Sequence, residues 1–192
     1  NDFYKLRNNL ASTVVYTFID DHMRRINGTT VYLPKNYMFL YDRYYYIEND
    51  KLKFDTTFND RIFTKARFYR ILGKSSLIKL IGIELPIFGD YHFNLYVQTL
   101  VKMKEELKKK IPNMNKFIFV FYPDATLFHK QLLNHLKKYD DIEILDYSFL
   151  RLESLMKNRN LLRLDPHPSK ETHDLIGYLL SRELTDNKEK AK

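Results

Sequence analysis

Several features are missing from this sequence, and their absence narrows the classes of protein it can belong to. It contains no cysteine, which excludes disulfides, thiolate nucleophiles and cysteine metal sites. No run approaches the ~20 apolar residues that span a bilayer, and no basic-then-apolar signal peptide opens the chain. The compartment stays open, because a chain without cysteine suits the cytosol and the periplasm alike.

What is present is typical of a soluble globular domain. Of the 192 residues, 44% are hydrophobic and 29% are charged, which is the composition of a folded globular domain. A chain of this length can also bury a sizeable core. The net charge of +8 favours an acidic partner such as nucleic acid. The lysines are scattered, however, and their densest cluster (101–111) has the period of a helix with a solvated face.

The order of helical and strand patterns predicts the fold class. Runs of β-branched and aromatic residues predict buried strands, and apolar residues at helical spacing predict helices. The predicted strands are 12–18, 116–122 and 142–147, and the predicted helices are 91–110, 124–140 and 169–184. This alternation indicates an α/β protein, with a mostly parallel sheet between two layers of helices.

A tyrosine-rich stretch, 29–85, separates the first strand from this regular half and is interpreted as a lid-like insertion. Within it, two extended pieces around Glu48-Asn49-Asp50 predict a hairpin, and a later helix is predicted to stop at Gly73. Residues 19–30, which follow the first predicted strand and contain Asn27-Gly28, are interpreted as a polar turn.

Three buried strands alone would leave a bare apolar edge, which soluble proteins avoid. The first residues, 1–16, also resemble the middle of a domain, since a polar helix end runs directly into a strand. We therefore expect residues 1–192 to be one partial domain, with further strands supplied by an upstream segment or by another chain.

The run "LDPHPSKETHDLIGYLL" carries the clearest chemical signal. Asp165 lies two residues before His167, and prolines stand on either side of that histidine. A carboxylate can hold one ring nitrogen protonated and leave the other free to accept a proton, as a general base requires. The alternative is structural: Asp165 is then a turn residue, and His167 is the neighbour of a helix cap.

The same run resembles the C-terminal block of the SGNH (GDSL-type) esterase and lipase superfamily, and "STVVYTFIDDHMRR" is similar to that family's third block. The resemblance covers about Ser12 to Leu184, and it implies the three-layer SGNH/flavodoxin-like fold. It also implies that His167 is the general base and Asp165 its orienting acid. The usual aspartate lies three residues before the histidine, where this chain has Leu164.

The oxyanion hole departs further from the family pattern. The asparagine that the family uses in its oxyanion hole aligns with Asp20, beside Asp21, and the family's glycine aligns with Phe18. An ionised Asp20 would repel a developing oxyanion. Either Asp20 has another role, or His22 or a backbone N–H binds the oxyanion and substrate instead.

The nucleophile block is missing altogether. Gly89-Asp90 is followed by Tyr91 in place of serine and precedes a helix rather than following a strand, so we interpret it as a loop and helix start. The resemblance thus implies an esterase, lipase, deacetylase or O-acyltransferase whose serine lies upstream of this chain. Its substrate is expected to be an ester or O-acylated carbohydrate or lipid, with no metal or organic cofactor. The alternative is a non-catalytic basic α/β module that binds nucleic acid or another acidic polymer.

Overall fold

A computed structural model describes residues 12–31, 43–57, 65–123, 127–150 and 170–189. The chain forms two compact units, Asn1–Ser148 and Phe149–Lys192. The second unit contributes one described helix, which is treated below by itself.

A parallel sheet forms the centre of the first unit. Strands β1 (Ser12–Phe18), β4 (Met114–Phe121) and β5 (Glu143–Asp146) lie in the order β1-β4-β5. Both pairings are parallel, with Phe18 opposite Phe121 and Phe121 opposite Asp146. The predicted mixed α/β class and all three predicted strands are confirmed, and each strand ends within one residue of the predicted bound.

The other described elements are helices and one hairpin. The helices are α1 (Asp20–Asn27), α2 (Lys65–Leu72), α3 (Ser76–Ile81), α4 (Asp90–Lys110), α5 (His129–Leu136) and, in the second unit, α6 (Lys170–Glu189). A separate antiparallel hairpin joins β2 (Arg43–Glu48) to β3 (Lys51–Thr57). Its turn residues Asn49 and Asp50 both have positive φ, the backbone that a two-residue hairpin loop requires.

Two predictions about helices need correction. The segment predicted as a polar turn is the helix α1, in which the buried Met23 and the half-buried Ile26 face the core. Gly28 ends this helix in the left-handed conformation at φ 60°, which costs glycine little because it lacks a Cβ. The second correction is to the helix predicted over 124–140: the structure begins it only at His129 and ends it at Leu136.

Aromatic side chains on one face of the sheet form the core of this unit. Phe18 contacts Phe119 with ring centroids 5.7 Å apart and Tyr96 of α4 at 5.5 Å. Phe119 and Phe121 follow on β4, both fully buried. Alternate residues of β1 point to this face, so the strand is held in one register by burial.

Candidate functional site

The three parallel strands end level with one another and define one edge of the sheet. The alignment continues one residue beyond the strands, because the backbone N–H of Tyr122 donates to the Phe18 carbonyl at 3.1 Å and that of Tyr147 to the Phe121 carbonyl at 3.0 Å. In open α/β sheets, ligands bind outside the carboxyl ends of the strands. We call the residues that follow these ends (Ile19–His22, Tyr122–Pro123, Leu127–His129 and Asp146–Ser148) the carboxyl edge.

The predicted base and its orienting acid, His167 and Asp165, lie outside the described residues. The described chain passes the end of β5, continues to Leu150 and starts again at Lys170, the first residue of α6. The geometry of this pair therefore stays a prediction.

Asp20 is held at the carboxyl edge by the loop that follows β4. Its Oδ2 accepts a hydrogen bond from the backbone N–H of Leu127 at 3.2 Å, and the Phe128 N–H also stabilises the carboxylate. Its Oδ1 is buried and has no hydrogen-bond partner in the part of the chain described. Burial is the largest influence and raises the pKa of Asp20, and the Leu127 and Phe128 donors and the Arg24 charge only partly offset it.

Asp21 points to solvent and belongs to an ion-pair cluster. Its Oδ1 lies 3.2 Å from Nη1 of Arg24, whose Nε donates to both carboxylate oxygens of Glu84 at 2.9 and 3.1 Å. The guanidinium also lies over the Phe128 ring, 5.8 Å from its centroid. Arg24 thus joins α1 to the segment before α4 and to the loop after β4, so its described contacts are structural.

His22 is the end of a hydrogen-bonded chain that begins in the core. The Tyr96 hydroxyl donates to the Tyr16 hydroxyl at 3.1 Å, and the Tyr16 oxygen lies 3.1 Å from His22 Nδ1. With the Tyr16 hydroxyl donating to Nδ1, the neutral ring carries its own proton on Nε2. Burial, assisted by the Arg25 charge, lowers the pKa of His22 and favours this neutral form.

A second histidine–carboxylate pair occupies the same edge and was not identified from the sequence. Nε2 of His129, the first residue of α5, lies 2.7 Å from Asp146 Oδ2 at the end of β5. In the sequence His129 lies six residues before His135, a spacing that does not fit a metal-binding pair on one helix face. The available signal was Asp146 itself, a carboxylate directly after the apolar run of a buried strand.

The Gly89-Asp90 motif is structural, as interpreted. Gly89 is the N-cap of α4, and Asp90 is the first helical residue. The Asp90 carboxylate lies 3.4 Å from Nε2 of His135 on α5. The site therefore does not resemble a nucleophile turn that follows a strand.

The described residues contain no cluster of three or more metal-ligating side chains. Nor does any helix among them combine the length and apolarity needed to cross a membrane. No family model matches the sequence, and comparison with curated proteins and with solved structures finds no match either.

Proposed function

We propose that this chain is part of a serine-type ester hydrolase or O-acyltransferase of the SGNH type. In this proposal His167 is the general base, Asp165 orients it, and a serine outside these 192 residues is the nucleophile. The serine attacks the ester carbonyl as His167 takes its proton, and the acyl-enzyme is then resolved by water or by an acceptor hydroxyl.

The carboxyl edge carries the main support. In the family block that "STVVYTFIDD" resembles, a buried strand ends at residues that bind the oxyanion. Here β1 runs directly into α1, and Asp20 lies where the parallel strands end, bonded to the loop after the neighbouring strand β4. A substrate bound beyond the strands would meet this first turn of α1.

The electrostatics of that turn favour His22 over Asp20 as the oxyanion donor. Asp20 accepts hydrogen bonds through Oδ2, which is the opposite of what an oxyanion needs. His22, in contrast, has a pKa lowered by burial, and with Tyr16 donating to its Nδ1 the ring N–H lies on Nε2, away from Tyr16. A neutral imidazole N–H is a suitable donor to a developing negative charge.

The reaction needs no metal or organic cofactor in this proposal, because base, orienting acid and donors are side chains of the polypeptide. The acylated substrate is a carbohydrate O-acetyl group, a lipid or a small ester. The half-buried carboxyl edge is compatible with all of these.

A serine-directed fluorophosphonate tests the proposal. It is applied to the protein that includes whatever its gene encodes before Asn1. We expect covalent labelling that is lost in His167→Ala, strongly reduced in Asp165→Asn and retained in His173→Ala, a matched control because His173 is an exposed histidine of the nearby sequence. Undiminished labelling of the His167→Ala variant contradicts the assignment.

The same labelling experiment, carried out on a His22 variant, tests His22 as an oxyanion donor. His22→Phe keeps an aromatic ring against Tyr16 but removes the N–H. Removal of one oxyanion donor costs about 10²–10³ in the rate of acylation, so labelling should slow by that factor without being abolished. Equal labelling rates in His22→Phe and wild type would remove His22 from the oxyanion hole.

A further inference from the structure

The pair formed by His129 and Asp146 has the geometry of a proton-transfer site. Asp146 Oδ2 lies 2.7 Å from His129 Nε2, a short contact typical of a charge-assisted hydrogen bond. The histidine side chain is 24% exposed and the aspartate side chain 34% exposed. Both groups are therefore held in the protein and still reachable from solvent.

Ser148 holds the carboxylate of Asp146 through two hydrogen bonds to one of its oxygens. Its hydroxyl and its backbone N–H both donate to Oδ1, at 2.6 and 3.0 Å. With Oδ1 occupied, Oδ2 is left to accept from the imidazole. Burial by itself raises the pKa of Asp146, but the hydrogen bonds from Ser148 and His129 outweigh burial and bring the pKa below its ordinary value. The carboxylate is therefore ionised and acts as an acceptor.

The imidazole ring is fixed as well. Its plane stands edge-on to the Phe121 ring, with centroids 4.6 Å apart and an interplanar angle of 74°. Since Nε2 donates to Asp146, the neutral ring has its lone pair on Nδ1. This Nδ1 has no hydrogen-bond partner in the described part of the chain.

We propose that His129 is a general base in its own right, oriented by Asp146, and that its Nδ1 takes a proton from a water or alcohol hydroxyl bound at the carboxyl edge. This inference does not depend on His167 or on a serine nucleophile. His129 is the residue that touches the reacting hydroxyl, and Asp146 and Ser148 are positioning residues.

The chemistry that fits such a base is direct attack of the hydroxyl on an ester. The O–H bond of water breaks as its proton passes to Nδ1, and the water oxygen forms a bond to the acyl carbon. The ester C–O bond then breaks, and the imidazolium returns the proton to the departing alkoxide. The products are a carboxylic acid and an alcohol, and Asp146 stabilises the imidazolium while it exists.

The substitution Asp146→Asn gives a sharp test because its outcome is set by Ser148. The Ser148 backbone N–H can only donate, so the amide oxygen must occupy the Oδ1 position. The amide NH₂ then faces Nε2, which must become an acceptor, and the ring proton moves to Nδ1. The variant therefore keeps the shape of the pair and loses the base.

The first measurement is the ring ¹⁵N spectrum of the 192-residue chain, recorded at alkaline pH. We expect the proton of His129 on Nε2 in wild type and in Ser148→Ala, and on Nδ1 in Asp146→Asn. A wild-type ring protonated on Nδ1 overturns the proposal. This readout does not depend on any activity.

The second measurement is hydrolysis of p-nitrophenyl acetate by the same chain. A positioned general base contributes about 10²–10⁴ in rate, so His129→Gln and Asp146→Asn should each lower the rate at least about tenfold, and Ser148→Ala should lower it less. His135→Gln is the matched control on the same helix and should retain the wild-type rate. Circular dichroism checks that each variant is folded.

Equal rates for wild type and for a folded His129→Gln variant overturn the proposal, even where the tautomer shift is observed. In that case the pair is only a link between β5 and α5. Fluorophosphonate labelling separates this result from the proposed function: His129→Gln leaves labelling intact if His167 is the base of a serine site.

Discussion

The hydroxyl of Tyr96 donates to the hydroxyl of Tyr16 at 3.1 Å, joining α4 to β1 inside the core. Tyr96 is 1% exposed, and burial raises its pKa well above the ordinary value. The Tyr16 hydroxyl oxygen in turn lies 3.1 Å from Nδ1 of His22 at the carboxyl edge. A hydrogen-bonded chain thus connects the centre of the fold to the turn that we assign to oxyanion binding.

The two tyrosines should not be equivalent in their effect on stability. Tyr96→Phe removes one donor and leaves Tyr16 bonded to His22, so we expect a loss of about 1 kcal/mol in the free energy of unfolding. Tyr16→Phe leaves the Tyr96 hydroxyl buried without its acceptor, and we expect a loss of about 2–3 kcal/mol. Urea unfolding measures both values.

The double variant Tyr16→Phe/Tyr96→Phe provides the control for that comparison. Both polar partners are then gone, so its loss should be smaller than the sum of the two single losses. Strict additivity would show that the hydroxyls do not interact in solution.

A second prediction concerns the pH dependence contributed by His22. Burial lowers the pKa of the folded His22 below the ordinary value of 6.5. As the pH falls below about 6.5, the unfolded chain takes up a proton that the folded chain does not, so the free energy of unfolding decreases with falling pH. His22→Gln removes this contribution while its amide oxygen can still accept from Tyr16.

Unfolding titrations between pH 5 and pH 7 should therefore show a shallower pH dependence for His22→Gln than for wild type. The comparison isolates His22 because the other histidines are unchanged in the variant. Identical slopes would mean that His22 titrates in the folded protein as it does in the unfolded chain, against the tyrosine-bonded neutral form.

Asp20 should contribute the opposite dependence. Burial raises its folded pKa above the ordinary 3.8, so folding favours the protonated carboxyl. As the pH rises through the window above 3.8, the unfolded Asp20 ionises first, and the free energy of unfolding decreases. Asp20→Asn has no such proton to lose.

We therefore expect the stability of Asp20→Asn relative to wild type to increase as the pH rises through that window. Asp21→Asn is the matched comparison, because the Asp21 side chain is 58% exposed and forms its ion pair at the surface. A constant difference between Asp20→Asn and wild type would show that the Leu127 and Phe128 donors fully offset the burial of the carboxylate.

The parallel sheet could be predicted from sequence because its strands are long apolar runs. In "KFIFVFY" every second side chain packs on the aromatic core, and those between are buried too, as a central strand requires. The helix α1 was missed because Asp20, Asp21, Arg24 and Arg25 make the segment look like a polar turn. Those charges suit a helix, with acids in the first turn and bases in the last.

The pairing of His129 with Asp146 could not be predicted from spacing. The two residues lie 17 positions apart, and they meet only because β5 ends level with Phe121 and α5 begins beside it. That coincidence depends on the register of the sheet and on α5 starting five residues later than the sequence pattern predicts. Asp165 and His167, by contrast, lie only two residues apart in the sequence, so a short motif is enough to predict them as a pair.

The last prediction tests the nucleic-acid alternative through the lysines of α4. Several of them are neutralised within the fold: Lys102 lies 3.3 Å from Glu106, Lys109 lies 2.8 Å from the same carboxylate, and Lys104 pairs with Asp141. Phosphate binding would have to compete with these pairs, and few counterions would be released. We therefore expect only weak binding of duplex DNA, with a shallow dependence on salt.

The double variant Glu105→Gln/Glu106→Gln frees Lys102 and Lys109, so it should bind DNA more tightly and with a steeper salt dependence. Fluorescence anisotropy across a salt series measures both. Tight wild-type binding that falls steeply with salt would instead favour a basic module over an ester-processing site.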